Sequence, residues 1–260
     1  MRIQLVSDTH NKTHGLKISK DVDLVIHAGD LSNGIDDLHV QTYMLDVLCK
    51  EVGVDYLYVL GNHDYYSLGY PRPYTDAYDA VYDKSKLLTK DTGPKVINGY
   101  TFAGATLWTN TKLGIVERCI NDFNYIYDEN YDSISLELMN KWFEEDWKYI
   151  ESFRNKPNTF IVTHFPPSEL LCSEQYKGNV LNPYFLNNLD LKGFQNYLCG
   201  HCHHTMNTVD NGCNLYLNAY GHVSIRGSKE NLKYNDNYII HPAVKPPLLR
   251  SGYKAVIMLG

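Results

Sequence analysis

The chain has no apolar run near the roughly 18–20 residues that a membrane helix needs. Its opening, MRIQLVSDTH, carries no basic region, apolar stretch or small-residue cleavage site of a secretory leader. Cysteine is scarce. Six residues (Cys49, Cys119, Cys172, Cys199, Cys202 and Cys213) in a chain of 260 do not read as a disulfide framework, and a reducing compartment is the default. Excess positive charge is missing too: the net charge of −6 argues against a broad nucleic-acid-binding surface. It leaves room for a narrow phosphate site in which metal ions supply the positive charge. No low-complexity segment, repeat or Pro/Ser/Gly linker interrupts the sequence, so residues 1–260 read as one domain. A soluble cytoplasmic protein is the expectation.

What is present is a full core's worth of apolar residues, 43% of the chain, and 22 scattered tyrosines that suit boundary packing. IQLVS (3–7), DLVIHAG (23–29) and DYLYVLG (55–61) read as buried strands. Between the last two, Leu38, Tyr43, Leu45 and Leu48 mark a helix over 35–50, so strand–helix–strand units with parallel strands follow. A short helix is predicted near 76–88, and a hairpin over 95–108 turned at Asn98-Gly99. Leu136, Met139, Phe143, Trp147 and Ile150 recur at helical spacing over 133–153. TFIVTH (159–164) is another buried strand, and the chain from 195 onward reads as short strands and turns. The balance is α/β.

Asp, His and Asn collect where these strands end: SDTH (7–10), HAGD (27–30), GNHD (61–64), VTH (162–164) and GHCH (200–203). Ligands of α/β sheets bind beyond the carboxyl ends of strands, where loops converge on a fixed scaffold. One such histidine is ordinarily structural. Five islands in order point to a shared centre. The densest stretch, LCGHCHH (198–204), taken alone also admits a redox CxxC or half of a zinc knuckle. A redox pair should open a helix, which HHTMNTVDNGC does not promise, and a knuckle needs a second ligand pair where Cys213 stands alone.

The ordered set D-x-H, G-D, G-N-H-D, H, G-H-x-H, running from Asp8 to His203, resembles the calcineurin-like metallophosphoesterase superfamily. GATLW (104–108) and VTHFPPS (162–168) resemble its compact bacterial and phage members. The resemblance implies a four-layer α/β/β/α sandwich of two mixed sheets with the site at the strand C-termini. It implies one metal on Asp8, His10, Asp30 and His203, and a second on Asp30, Asn62, His164 and His201, with Asp30 bridging. Gly200 would allow a tight turn between the islands' last ligands. Two divalent ions are expected, Mn²⁺ foremost, with Fe, Zn or Ni accepted by the same donors. His63 takes the superfamily's place beside the leaving oxygen, as general acid or transition-state stabiliser, and Asp64 either orients it or caps the next turn. Arg72, Tyr65, Tyr66, His222 and Arg226 are weaker candidates for substrate contact, Arg118 weaker still. His27 and Trp108 read as structural.

The function so implied is hydrolysis of a phosphate ester by hydroxide held on the metals, with no covalent phospho-enzyme. Protein Ser/Thr phosphatases of the superfamily carry G-D-x-x-D-R-G and G-N-H-E. Here GDLSNG (29–34) has Asn33 and Gly34 in place of the Asp and Arg, and GNHD replaces GNHE. Loss of that arginine removes a phosphate clamp. A phosphodiester, such as a nucleotide, is therefore favoured over a monoester. A phosphomonoesterase, a nuclease or a non-catalytic scaffold of the same fold are the alternatives, and the scaffold is disfavoured because His63 and all seven ligand positions are filled. Substrate recognition is expected from loops at 65–92, 110–130, 165–185 and 219–250.

Overall fold

The computed structural model describes residues 1–111, 119–223 and 230–242. In chain order its first half runs β1 (Ile3–Val6), β2 (Leu24–Ala28), α1 (Ile35–Val52), β3 (Asp55–Val59), α2 (Asp76–Ala80), β4 (Lys95–Ile97) and β5 (Tyr100–Ala105). Then come α3 (Asp122–Tyr125), α4 (Leu136–Glu151), β6 (Thr159–Thr163), β7 (Asn196–Cys199), β8 (Thr205–Asp210), β9 (Cys213–Asn218) and β10 (Ile239–Ile240). They form two mixed sheets, β10-β1-β2-β3 and β4-β5-β6-β7-β9-β8. β1, β2 and β3 are parallel, as are β5, β6, β7 and β9, so the ends of these strands open on shared edges.

Period-2 alternation sets the layers. Ile3, Leu5, Leu24, Ile26, Leu57 and Val59 of the first sheet pack with Phe102, Phe160, Val162 and Leu198 of the second, forming the seam between the sheets. The alternate residues Val25, Tyr56 and Tyr58 face Leu38, Leu45 and Cys49 of α1. Ala103, Ala105, Ile161 and Tyr197 face Met139, Phe143 and Ile150 of α4. The result is the α/β/β/α sandwich.

Local signals account for the element ends. Asn98 and Gly99 are both left-handed (φ 52° and 79°), as a two-residue turn between antiparallel strands requires. Ser135 caps α4 by accepting from the Leu138 N–H. The helix expected over 76–88 is shorter than the pattern suggested. α2 stops at Ala80, Val81 is extended, and Asp83 accepts from the Ser85 N–H to start a separate 3-10 turn over Lys84–Lys86. A side-chain-to-backbone bond of this kind competes with helix propagation.

The sheets meet at the edge where the polar islands lie. Ser7 pairs in parallel with Ala219, the Tyr220 N–H donates to the Ser7 carbonyl (2.8 Å), and the Gly221 N–H donates to that of Asp8 (3.1 Å).

Candidate metal centre

Asp8, His10, Asp30 and His201 have φ between 44° and 67°, a region that side-chain-bearing residues rarely occupy and that costs on the order of 1 kcal/mol or more each. Backbone bonds hold them there: Asp8 N–H to the Gly29 carbonyl (2.9 Å) and His10 N–H to the Asp30 carbonyl (3.1 Å). The chain thus leaves the pleat immediately after each strand and turns its side chains to one point. Two glycines permit the crowding. A Cβ on Gly61 would lie 2.2 Å from Asp30 Oδ1, and one on Gly200 would lie 2.5 Å from the Ala28 carbonyl oxygen. Gly200 also opens the tight turn expected there: its carbonyl accepts from the Cys202 N–H (2.8 Å), with His201 rather than the glycine taking the left-handed position.

Seven side chains converge. At one end, His10 Nε2 lies 3.1 Å from His203 Nε2 and 3.8 Å from Asp30 Oδ2, and His203 Nε2 lies 3.4 Å from Asp8 Oδ1. At the other, His164 Nε2 lies 3.3 Å from Asp30 Oδ2, 3.0 Å from Asn62 Oδ1 and 3.2 Å from His201 Nδ1. The Asp8 carboxylate also accepts from the His201 N–H (3.0 and 3.1 Å) and the Ser7 hydroxyl. Asp30 Oδ1 accepts from the His63 N–H (2.9 Å), whereas Asp30 Oδ2 is buried between the two ends with no hydrogen-bond partner.

This donor set fits divalent cations. The outward nitrogen of three imidazoles faces an oxygen acceptor: His10 Nδ1 the Asn33 Oδ1 (3.1 Å), His164 Nδ1 the Ala28 carbonyl (2.9 Å), and His203 Nδ1 the Glu230 carboxylate (2.5 Å). An N–H held outward in this way directs each Nε2 inward, the usual arrangement of imidazole ligands. Triads of Asp30, His164 and His201, of His10, Asp30 and His63, and of His10, His203 and His222 each bring their donor atoms within 4.8 Å of one another. Burial drives the His10 and His201 imidazoles toward their neutral, ligating form. Burial alone would raise Asp8 and Asp30, but His203 and His164 outweigh it and hold both carboxyls well below the usual carboxylate range. The same pairing, against burial, pushes His164 up to about 9 and His203 up to about 10.

Around this cluster the predicted residues divide. His63 packs on His10 (4.6 Å between ring centroids) and Tyr66 (4.3 Å), and His222 stacks on His10 at 4.0 Å, so both border the cluster. Asp64 does not orient the His63 ring. Its fully buried carboxylate accepts from the N–H groups of Gly61 (2.9 Å) and Ser32 (2.7 Å) and from the Ser32 hydroxyl (2.8 Å), tying the HAGD and GNHD loops together. Burial lifts its pKa to about 7. Tyr65 turns into the core, with its hydroxyl on Thr106 Oγ1 (3.0 Å) and its ring on Trp108. Arg72 spends its guanidinium on Asp36 (2.8 Å) and Asp76 (3.0 Å). His27 is buried, its Nε2 on Thr9, and burial brings its pKa down to about 3, in keeping with a structural role. Arg226 and Arg118 lie outside the described residues. All six cysteines are free, Cys199 being buried, so Cys199 and Cys202 form no disulfide.

Four contributors went unread in the sequence. Asp122 of α3 accepts from Asn62 Nδ2 (2.8 Å) and the Tyr66 hydroxyl (2.6 Å), which turns the Asn62 oxygen toward His164. Glu230 holds His203. Phe165 and Phe185 flank the His201 ring at 4.2 and 5.3 Å. Asp122, Phe185 and Glu230 lie far from the islands they serve, and Phe165, next to His164, packs on the ring of a different island.

A cluster of candidate metal-binding side chains at the strand ends of an α/β/β/α sandwich is what defines the class. The family model for calcineurin-like phosphoesterases matches residues 1–205, and the chain belongs to that family. It is a metal-dependent phosphoesterase, and its clusters suit divalent cations. Among curated proteins it is similar to the uncharacterised protein L509 of Acanthamoeba polyphaga mimivirus, 27% identical over 205 residues that cover 69% of this chain and 72% of that one. Among solved structures it resembles the phosphopantetheinyl hydrolase of Mycobacterium tuberculosis, with TM-score 0.60, 15% identity and 89% of each chain covered. A dimetal phosphatase from Danio rerio matches at TM-score 0.47 and 12% identity, over 84% of this chain and 86% of that one. No helix among the described residues is long and apolar enough to cross a membrane.

Proposed function

We propose that the protein is a binuclear phosphodiesterase, with one cation held by Asp8, His10, Asp30 and His203 and the other by Asp30, Asn62, His164 and His201. The observation that carries this is Asp30 Oδ2. This buried carboxylate oxygen makes no hydrogen bond of good geometry; it is paired by charge with His164 at 3.3 Å and faces His10 at 3.8 Å, as a bridging ligand would. Divalent ions in these positions, Mn²⁺ foremost, supply Lewis acidity, which draws charge from phosphoryl oxygens and makes water a nucleophile near neutral pH. The protein's own groups do the rest. Asn62 contributes a neutral oxygen, so the donor set leaves positive charge for an anionic substrate. His63, anchored through its backbone on Asp30 and sandwiched by His10 and Tyr66, presents an imidazole at the rim to protonate the departing oxygen. His222 borders the same rim and is a phosphoryl contact.

Preference for a diester rests on charge. A monoester dianion calls for a guanidinium clamp, and Arg72 is engaged by Asp36 and Asp76 instead. Among the described residues, Tyr66 stacks on His63 and Asn33 faces His10, and both are neutral. A small phosphodiester with a nucleotide-like substituent fits these surroundings.

The test is turnover of the Mn²⁺-loaded protein on bis(p-nitrophenyl) phosphate and p-nitrophenyl phosphate, with metal content measured on the same sample. About two equivalents of metal and faster cleavage of the diester are expected. Faster cleavage of the monoester would replace the diesterase with a phosphatase, and bound metal without turnover on either ester would mark a scaffold.

A further inference from the structure

Phe185 is a large apolar side chain left 38% exposed beside the candidate centre. It follows the 3-10 turn Asn182–Tyr184, whose Tyr184 is buried against Phe123. The turn is pinned rather than loose. The N–H groups of Phe185 and Leu186 donate to the Asn182 carbonyl (2.8 and 2.9 Å), the Asn187 N–H donates to that of Pro166 (3.0 Å), and Asn187 Nδ2 donates to the Trp108 carbonyl (3.3 Å). The ring stacks on His201 at 5.3 Å with an interplanar angle of 22°.

Support of His201 does not by itself call for this residue. Phe165, fully buried, already packs on the imidazole at 4.2 Å. Phe185 adds a second flat apolar ring, and this one is partly exposed to solvent. Leu170, Tyr176 and Val180, in the chain just before it, are also exposed, at 52, 51 and 79%. Lys177 in this stretch is paired with Glu174. Position matters as well: His63 leans on His10, whereas Phe185 leans on His201.

We propose that Phe185 is the stacking shelf of the centre and sets its substrate class: phosphodiesters whose retained ester group carries a flat aromatic ring, an aryl or a nucleoside, opposite the leaving oxygen served by His63. The inference rests on the diesterase reading above. An aromatic pair of this kind contributes enough to change affinity by about tenfold.

Two esters with the same leaving group isolate the effect: p-nitrophenyl phenyl phosphate and methyl p-nitrophenyl phosphate, given to the Mn²⁺-loaded wild type and to Phe185→Ala, Phe185→Leu and Phe185→Trp. In Phe185→Ala the phenyl-over-methyl ratio of kcat/KM should fall about tenfold, through KM, with metal content retained. Phe185→Trp should restore the ratio, and Phe185→Leu should not. An unchanged ratio in all three variants, or loss of metal with equal slowing on both esters, would overturn the proposal and leave Phe185 as packing for His201. Wild type inactive on both esters would bring down the diesterase reading and this inference with it. An active wild type with indifferent variants brings down this inference alone.

Discussion

The two ends of the cluster are built differently. At the Asn62 end Asp30, Asn62 and His164 are buried and His201 is half-buried, and the supports are backbone or buried side chain: the Ala28 carbonyl behind His164, and Asp122 behind Asn62. At the His10 end the supports lie nearer the surface. His203 is held by Glu230, whose side chain is 42% exposed, and His222 stacks over His10 from an exposed position. A carboxylate near water is screened and loses little when its partner changes, whereas a buried one must be replaced in kind. The Asn62 end should therefore be the rigid, slowly exchanging half, and the His10 end the adaptable half facing substrate.

Asp30→Asn breaks the comparison outright, because Asp30 belongs to both ends. Metal analysis should show both equivalents lost and turnover should drop below detection. Two retained equivalents with normal turnover would refute the shared carboxylate. His63→Gln should leave both ends loaded yet slow turnover about 10²–10⁴-fold, more for an alkoxide than for a nitrophenolate leaving group. Equal slowing on both would remove its role as proton donor.

The sandwich was legible because its central strands are short continuous apolar runs, buried on both faces, and α4 carries an apolar stripe at helical spacing. The convergence of the seven candidate side chains was legible because few residue types bind metals and all seven fall at strand ends. Direction after GNHD was not legible. His63–Tyr65 is a 3-10 turn, in which successive side chains point about 120° apart, so His63 faces the cluster, Asp64 the loop beneath it and Tyr65 the core. Adjacency in sequence suggested a shared role for all three that the turn denies. Asp122 was hidden for the opposite reason. It lies 60 residues from Asn62, on a four-residue helix too short to give a pattern, and only folding brings the two together.

Supporting residues sharpen the contrast between the ends. Asp122→Asn should weaken Mn²⁺ binding at the Asn62 end about 10–100-fold, since partners behind a ligand commonly matter to that extent. Glu230→Gln should cost less, under about tenfold, because the exposed carboxylate is screened and an amide oxygen can still accept from His203 Nδ1. Chelator competition on the two variants measures both. A larger loss in Glu230→Gln would reverse the assignment of rigid and adaptable ends.

The rigid end also has a foundation with its own pH dependence. His164 and Phe165 donate their N–H groups to the Thr106 carbonyl (3.2 and 3.1 Å), and the next residue, Leu107, donates its N–H to Asp146 Oδ2 of α4 (2.9 Å). Burial pushes the Asp146 carboxyl up from 3.8 to about 7. Between these two values the folded chain keeps a proton that the unfolded chain has released. Unfolding then releases that proton, so stability falls as the pH rises from about 4 to about 7 and stays lower above it. Asp146→Asn keeps an oxygen for the Leu107 N–H and removes the titration. The residue is partly open to solvent, so the gain over wild type at pH 8 should be about 1–2 kcal/mol, read as a rise in Tm that vanishes near pH 4. Metal affinity should not change, which would separate the footing of the rigid end from its chemistry. A Tm difference that is flat with pH would show that Asp146 is already ionised in the folded protein.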